Sequence, residues 1–595
     1  MVLEQLPIPF GDWIGPALWF FFKATAGLAL FALIFGYLVA AFRHGPLAGG
    51  DITFRIVASG LRHFFQLSPR RIAALTRLAV QESLRRRVLV VYAVFVLILL
   101  FAGWFLDKTT RNPSTLYLSF VLTATTYLVL LMALFLSAFS LPADIRNRTI
   151  FTVVTKPVRP GEIVLGRMIG FSLMGTISLL LMGLLSYFFV VRVLSHTHEV
   201  DVSTLKSVAG SGVRTGLTSR EHEHRHDVSV LKNGEVVVSS EHGHTHVATP
   251  VGAKGQATTY ALSGPRGMFR ARVPVYGKLR FKDRSGRDVA RGVNVGNEWG
   301  YRSFIDGGTL AAAIWTFEGV TREAYPDGLP LEMTLRVFRT YQGKITQGIL
   351  GTVSLKNPAD PSKASGVQTF EAKDNSILRQ VIDPKLSDAD GKPIDLFEDL
   401  APDGKVEVWI MCSDINQYLG AAQADVYLHA HDSSFEGNFV KGYIGIWLQM
   451  LLVTGLGVMF STFLSGPVAM MATITSIIIG FFTDFVVDVA EGIIRGGGPI
   501  ESLIRLVTQQ NVMNDFGEGI TKTVVQAIDS VLMAIMSLVA NLLPNFVRFN
   551  NVRYVADGFD IPADVVLPQI VTAGAYLLAM FIIGYFFLRT REVAA

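Results

Sequence analysis

Cysteine is nearly absent. Cys412 is the only thiol in 595 residues, which excludes an intrachain disulfide and any cysteine-based zinc site. Charge is scarce too: Asp, Glu, Lys and Arg make 17% of the chain, where soluble domains carry about 25%. A Gly-x-x-x-x-Gly-Lys-Ser/Thr phosphate loop is missing, so the chain is expected neither to bind nor to hydrolyse ATP. No Ser/His/Asp or paired-carboxylate pattern stands out, and the chain is read as a non-enzyme. A cleavable signal peptide is not evident, because the first apolar run follows Glu4 and Asp12 and is long enough to span.

What is abundant is apolar. Half of the residues are hydrophobic and mean hydropathy is +0.41, which places the chain among membrane proteins. An isoelectric point near 9.1 fits basic loops on anionic lipid rather than nucleic-acid binding. Runs of membrane-crossing length fall at 17–41, 88–106, 116–139, 168–191, 442–464, 467–487 and 568–588. Helices are the default, since lipid satisfies no backbone donor or acceptor. Arg43 to Arg87, Arg146 to Arg167 and Arg589 with Arg591 supply basic loops for one side of the membrane. That places the N-terminus outside and the C-terminus in the cytoplasm, in a plasma membrane such as a bacterial inner membrane.

The polar stretch 195–440 alternates apolar and polar residues between turn signals such as Pro326-Asp327-Gly328 and Pro402-Asp403-Gly404. The fold expected is a polytopic α-helical membrane protein of about seven spans with an inserted all-β, sandwich-like extracytoplasmic domain. The organisation reads 1–42 (first span), 43–87 (cytoplasmic linker and amphipathic helix), 88–194 (spans with a cytoplasmic loop at 142–165), 195–440 (β domain), 441–490 (helix pair), 491–567 (extracytoplasmic or re-entrant) and 568–595 (last span and tail). The apolar stretch around Asp529 and Asn541 is assigned to a re-entrant or interfacial helix pair. An eighth crossing there would put the basic tail outside.

The loop "LPADIRNRTIFTVVTKPVRPGEIVLGRMIG" (141–170) carries Asp144, Arg146, Thr149-Ile150, Pro157-Val158-Arg159 and Gly166-Arg167. This pattern resembles the cytoplasmic loop of ABC transporter permeases of the ABC-2 exporter class. There an acidic residue, "gT(i/l)", "P(v/i)xR" and "xxGK" at a helix start recur at these spacings. Arg148 replaces the common glycine and Arg167 the usual lysine. The amphipathic helix at 68–87, "FSTFLSGPVAMM" and "NLLPNFVRFN" are similar to other parts of that family. The resemblance implies a permease subunit coupled through 142–165 to a separate ATPase, working as a homodimer or as a heterodimer with a similar permease. Asp484 and Asp488, beside Glu491, sit where a span exits, and either lie at the membrane interface where water relieves their charge or line an acidic outer vestibule for a cationic substrate.

Ten histidines lie between 195 and 440, at 196, 198, 222, 224, 226, 242, 244, 246, 429 and 431, and each belongs to a His-x-His unit. In "EHEHRHDVSVLKNGEVVVSSEHGHTH" an odd, three-residue loop at Lys232-Asn233-Gly234 pairs Leu231 with Glu235. That register puts Val228, Val230, Val236 and Val238 on one face, with His224 opposite His242 and His222 opposite His244. His222, His224, His226, His242, His244 and His246 are then candidate ligands for Zn, Cu or Ni. A polar His-rich hairpin, or a cluster that merely charges below about pH 6.5, fits the same composition. Two other function classes stay open beside the permease: an envelope sensor or organiser with a metal-binding domain, and a metal transporter.

Overall fold

The computed structural model describes residues 6–590 apart from 65, 86–87, 108–109, 111, 148–157, 209–211, 233–234, 242, 252–258, 296–301, 341–347, 374–376, 491–497 and 511–519. Thirteen helices are described: α1 Phe10–His44, α2 Pro46–Phe64, α3 Pro69–Arg85, α4 Val88–Phe105, α5 Pro113–Arg146, α6 Pro160–Leu194, α7 Phe435–Ser461, α8 Gly466–Phe481, α9 Thr483–Ala490, α10 Pro499–Thr508, α11 Ile520–Leu542, α12 Val552–Asp557 and α13 Ala563–Thr590. Among the described residues six stretches are long and apolar enough to cross a membrane, α1, α5, α6, α7, the α11 stretch and α13, or seven if the bent α8–α9 pair counts as one span. No residue of α1 is buried, so its exposed Trp19, Phe20, Phe22, Phe31 and Phe35 need lipid or a partner.

Two expectations for the helices shift. α11, assigned from sequence to a re-entrant pair, itself passes the length and hydropathy test for a span. The break falls instead at Phe482, where α8 and α9 meet at 60°. Asp529 on α11 is buried because its carboxylate accepts the Ile500 and Glu501 N–H groups at 2.7 and 2.9 Å. It caps the first turn of α10 from a neighbouring helix, satisfying donors that a helix start leaves open.

Small residues and ion pairs fix α3 along α6. A Cβ added to Gly166 or Gly170 would come within 2.5 Å of the Leu75 or Ala79 Cβ, so the one-turn spacing of glycines lets the helices touch. Glu162, fully buried at the start of α6, accepts from Ser68 N (2.9 Å), Arg159 N (3.1 Å) and Arg71 (2.6 Å). One turn further, Arg167 reaches Glu82 at 2.6 Å and also pairs with Asp144.

The chain is all-β from 199 to 432, but its strands divide at residue 270 into two compact units. The strands beyond 270, with 557–560, form one unit. There an antiparallel sheet (Asp288–Val289, Lys278–Lys282, Ala312–Glu318, Lys405–Cys412, Ile349–Lys356, Gln368–Ala372) shares a core with a second sheet (Leu378–Ile382, Leu329–Met333, Val426–Asp432, Arg272–Tyr276). Trp315, Phe317, Val408 and Ile410 from the first meet Leu331 and Leu428 from the second, as in a sandwich. Both Pro-Asp-Gly signals are turns, closed by Gly328 N to Tyr325 O at 3.2 Å and Gly404 N to Ala401 O at 2.9 Å.

The strands before residue 270 belong to the same unit as the helices and form two small antiparallel sheets. One is Glu199–Asp201, Thr259–Leu262 and Ala248–Val251. The other is Lys206–Ser207, Arg214–Leu217, Asp227–Val230 and Val236–Val238. Their shared core is Val200, Val228, Val230 and Leu262, with Val236, Val238 and Tyr260 packed against it. So few apolar side chains hold a fold weakly, and this module has a second organising centre.

Candidate metal centre

The hairpin forms in the expected odd register. Val230 pairs with Val236, Ser229 with Val237 and Val228 with Val238, and Leu231 N donates to Glu235 O at 2.9 Å. The valines face the core as expected, while Asn233 and Gly234 lie outside the described residues. The histidines depart from the extended ladder. It ends at Asp227 and Ser239, and each His-rich run then closes a four-residue turn. Glu221 and His224 exchange backbone hydrogen bonds at 3.0 and 3.3 Å, and Glu241 and His244 do so at 3.0 Å each. His222 (φ 43°) and Glu223 (φ 62°) take the left-handed conformation that such a turn requires, and Gly243 (φ 77°) takes it in the second turn. The facing pair His222/His244 therefore does not form, and the other expected pair involves His242, which lies outside the described residues. A turn that reverses the chain points its last histidine back into the module.

Those turns bring His224, His226, His244 and His246 together with His196 and His198, which directly follow α6. The ligand atoms of these six lie within 4.8 Å of one another, and all six residues are buried. His222 stays outside the group, half-buried with its ring 4.7 Å from that of His196. His242 lies outside the described residues. Neither His429, whose Nε2 is 3.1 Å from the Asp432 carboxylate, nor the exposed His431 joins the group.

The six are arranged as an octahedron. Twelve ring pairs are in contact, with centroids 4.8–5.2 Å apart and planes crossing at 71–90°. The pairs left over among these six, His196/His226, His198/His244 and His224/His246, are the antipodes that an octahedron requires. The first histidine of each unit forms one triangle. Its Nε2 atoms are separated by 3.2 Å (His196–His224), 3.0 Å (His196–His244) and 3.2 Å (His224–His244).

A local repeat produces this symmetry. The backbone N–H groups of Ser219, Ser239 and Ser263 donate at 2.8 Å to the carbonyls of Glu199, Asp227 and Val247. The three serine hydroxyls accept the N–H groups of those same residues at 3.0, 2.9 and 3.0 Å. The three serine carbonyls lie 2.8, 2.9 and 2.7 Å from the Nδ1 atoms of His198, His226 and His246. His196 Nδ1 similarly lies 2.9 Å from Leu194 O, and His224 Nδ1 3.3 Å from His222 O.

A carbonyl only accepts, so each of these Nδ1 atoms carries the proton, and each Nε2 lone pair points inward. Lone pairs 3.0–3.3 Å apart repel one another unless a cation sits between them. Burial works against a proton at two of them, pushing His196 down to about 3 and lowering His246 as well. His246 Nε2 is buried with no hydrogen-bond partner. Neutral imidazoles fixed by second hydrogen bonds and converging on one point are the chemistry of a transition-metal site. Sequence reasoning missed His196 and His198 as ligands. The signal was present: both are a His-x-His unit, and Ser-x-Glu-His-x-His-x-His occurs at 219–226 and again at 239–246.

The other candidate residues are placed elsewhere. Arg167 on α6 pairs with the half-buried Asp144 at the end of α5, and Gly166 is in the α3 contact. Gly166 and Arg167 fall in the second turn of α6 rather than at its start, because the helix begins at Pro160. Arg146 is exposed at the end of α5, and Arg159 donates to Gln66 Oε1 at 2.7 Å. Thr149 and Pro157 lie outside the described residues. Asp484 accepts from Asn545 at 2.6 Å, with Arg548 3.9 Å away, and Asp488 follows one turn later on α9. No family model and no curated protein matches this chain.

Proposed function

We propose that this chain is an integral membrane protein that holds one divalent transition-metal ion in a six-imidazole cage. The observation that carries the reading is the convergence of six buried imidazoles, five of whose rings are oriented by backbone carbonyls at Nδ1. His196, His198, His224, His226, His244 and His246 would be the ligands. The ion would join three chain segments that the small valine core holds only loosely. Metal analysis of the full chain, purified in detergent without chelator or immobilised-metal steps, tests this. One equivalent is expected in the wild type, falling to background when His226 and His246 are both changed to alanine. A metal-free wild type that also takes up no added ion contradicts the reading.

Export driven by a separate ATPase is a second reading, favoured by the way α3 is locked to α6 through Glu162–Arg71 and Glu82–Arg167–Asp144. A helix fixed in this way would pass a push on the 142–165 loop directly into a span. The partners would be an ATPase subunit and a second permease, either another copy of this chain or a similar one. The 142–165 loop would face the cytoplasm and the His module the outside. Copurification of an ATPase, abolished by changing Pro157 and Arg159 together, tests this reading independently of the metal.

A further inference from the structure

We infer that the cage selects octahedral divalent ions, Ni2+ foremost, and that its coordination sphere is closed, so the ion is a permanent structural member rather than a catalyst or a cargo. This rests on the metal-holding reading above. Nε2 separations of 3.0–3.3 Å along four edges put the corners of a regular octahedron about 2.2 Å from its centre, and the 4.8 Å limit on ligand-atom separation caps that distance at about 2.4 Å. That is slightly longer than the about 2.0–2.1 Å of a four-coordinate zinc–imidazole bond, as six-coordination demands.

Ligand type and geometry then act together. Imidazole suits Zn, Cu, Fe and Ni, but zinc in structural sites is almost always tetrahedral and Cu(II) prefers tetragonal surroundings. To use this cage, Zn2+ must either accept six donors or leave buried imidazoles with inward lone pairs and no partner. Among ions that take six equivalent nitrogens readily, intrinsic affinity rises from Mn2+ through Fe2+ and Co2+ to Ni2+.

The sphere is closed for a separate reason. Among the described residues the group consists of histidines alone, with no carboxylate to act as a base or to swing away. Catalytic metal sites keep a position for water or substrate, and here all six positions are filled by buried side chains. Handing the ion on would require undoing the two four-residue turns and the serine clamps that aim the rings. Their hydrogen bonds form the backbone of the module.

The test uses the full chain in detergent, stripped of metal and loaded with one equivalent of Co2+. The inference predicts a weak, six-coordinate d–d spectrum that azide does not change, and displacement of Zn2+ by equimolar Ni2+ when both are offered. An intense tetrahedral Co(II) spectrum, or Zn2+ displacing Ni2+, overturns the selectivity while leaving metal holding intact. An azide-dependent spectrum shows an open position and overturns the structural role. Failure to bind any of the ions removes the underlying reading with it.

Discussion

His196 Nε2 stands 3.0 Å from His244 Nε2, although the two residues are 48 apart in the chain. His196 cannot rotate away without breaking its Nδ1 contact to Leu194 O, and the backbone that carries the His244 ring is held by paired hydrogen bonds to Glu241. A bound cation turns that repulsive contact into shared coordination. His244→Ala removes one corner and leaves its neighbours without an ion of full coordination number. The expected result is a loss of thermal stabilisation by metal: the wild-type chain melts higher with Ni2+ than with EDTA, and the variant melts alike in both.

Ser239 acts one step behind the ligands. Its hydroxyl accepts Asp227 N–H at 2.9 Å and its carbonyl orients His226. Ser239→Ala keeps the carbonyl but frees the Asp227 N–H, so His226 loses part of its support. Second-layer changes of this kind typically cost 10–100-fold in metal affinity. A drop of roughly tenfold, measured by competition with a chromophoric chelator, is expected without loss of the fold.

Acid should weaken the metal-free module. His196 has a folded pKa of about 3 because burial disfavours its charged form, against an ordinary value of 6.5. Between those values the unfolded chain binds a proton that the folded chain refuses, so stability falls as pH drops from 6.5 towards 3. Hydrogen exchange at the backbone N–H groups of Ser239 and Ser263, followed in EDTA across that window, should show protection factors, each taken against the intrinsic rate at its own pH, that fall as pH falls.

In the helical part, Glu162 is the residue whose removal should cost most. Glu162→Ala strands the Ser68 and Arg159 N–H groups and unpairs Arg71. Arg71 is partly exposed and water relieves it, so a loss of about 2 kcal/mol is expected rather than the full penalty of a buried charge. Gly166→Leu tests the same contact from the packing side and should cost about 1–3 kcal/mol by forcing α3 off α6. Thermal unfolding in detergent measures both.

In the sandwich, Glu332 is buried beneath Arg272 (3.2 Å), Arg379 (3.0 Å) and Tyr427 Oη (2.6 Å). Glu332→Ala would leave the buried Arg272 with its carbonyl partners Gly558 and Asp557 but without its ion-pair carboxylate, at about 3 kcal/mol. Urea unfolding followed by tryptophan fluorescence, with Trp315 in that core, reads this directly.

Much of the fold was legible because apolar length and period-2 alternation are strong local signals. The long runs at 17–41, 116–139 and 168–191 are helices, and the odd hairpin register followed from which face carried valines. What alternation could not reveal was where the ladder stops. Extrapolated past Asp227, it placed His222 opposite His244. A left-handed turn at His222-Glu223 reverses the chain instead. The contribution of His196 and His198 was hidden for a different reason. They come from the end of a helix, and three-way convergence is a property of tertiary packing that no single segment displays. The boundary at residue 270 left a signal that alternation does not use: residues 195–268 contain no Phe, Trp or Ile, whereas the strands beyond 270 carry all three.

X-ray absorption at the metal edge of the loaded full chain tests the central claim most directly. The account predicts about six nitrogen scatterers at roughly 2.2 Å with the multiple-scattering pattern of imidazole rings. A shell of four ligands, or one dominated by oxygen, would contradict it.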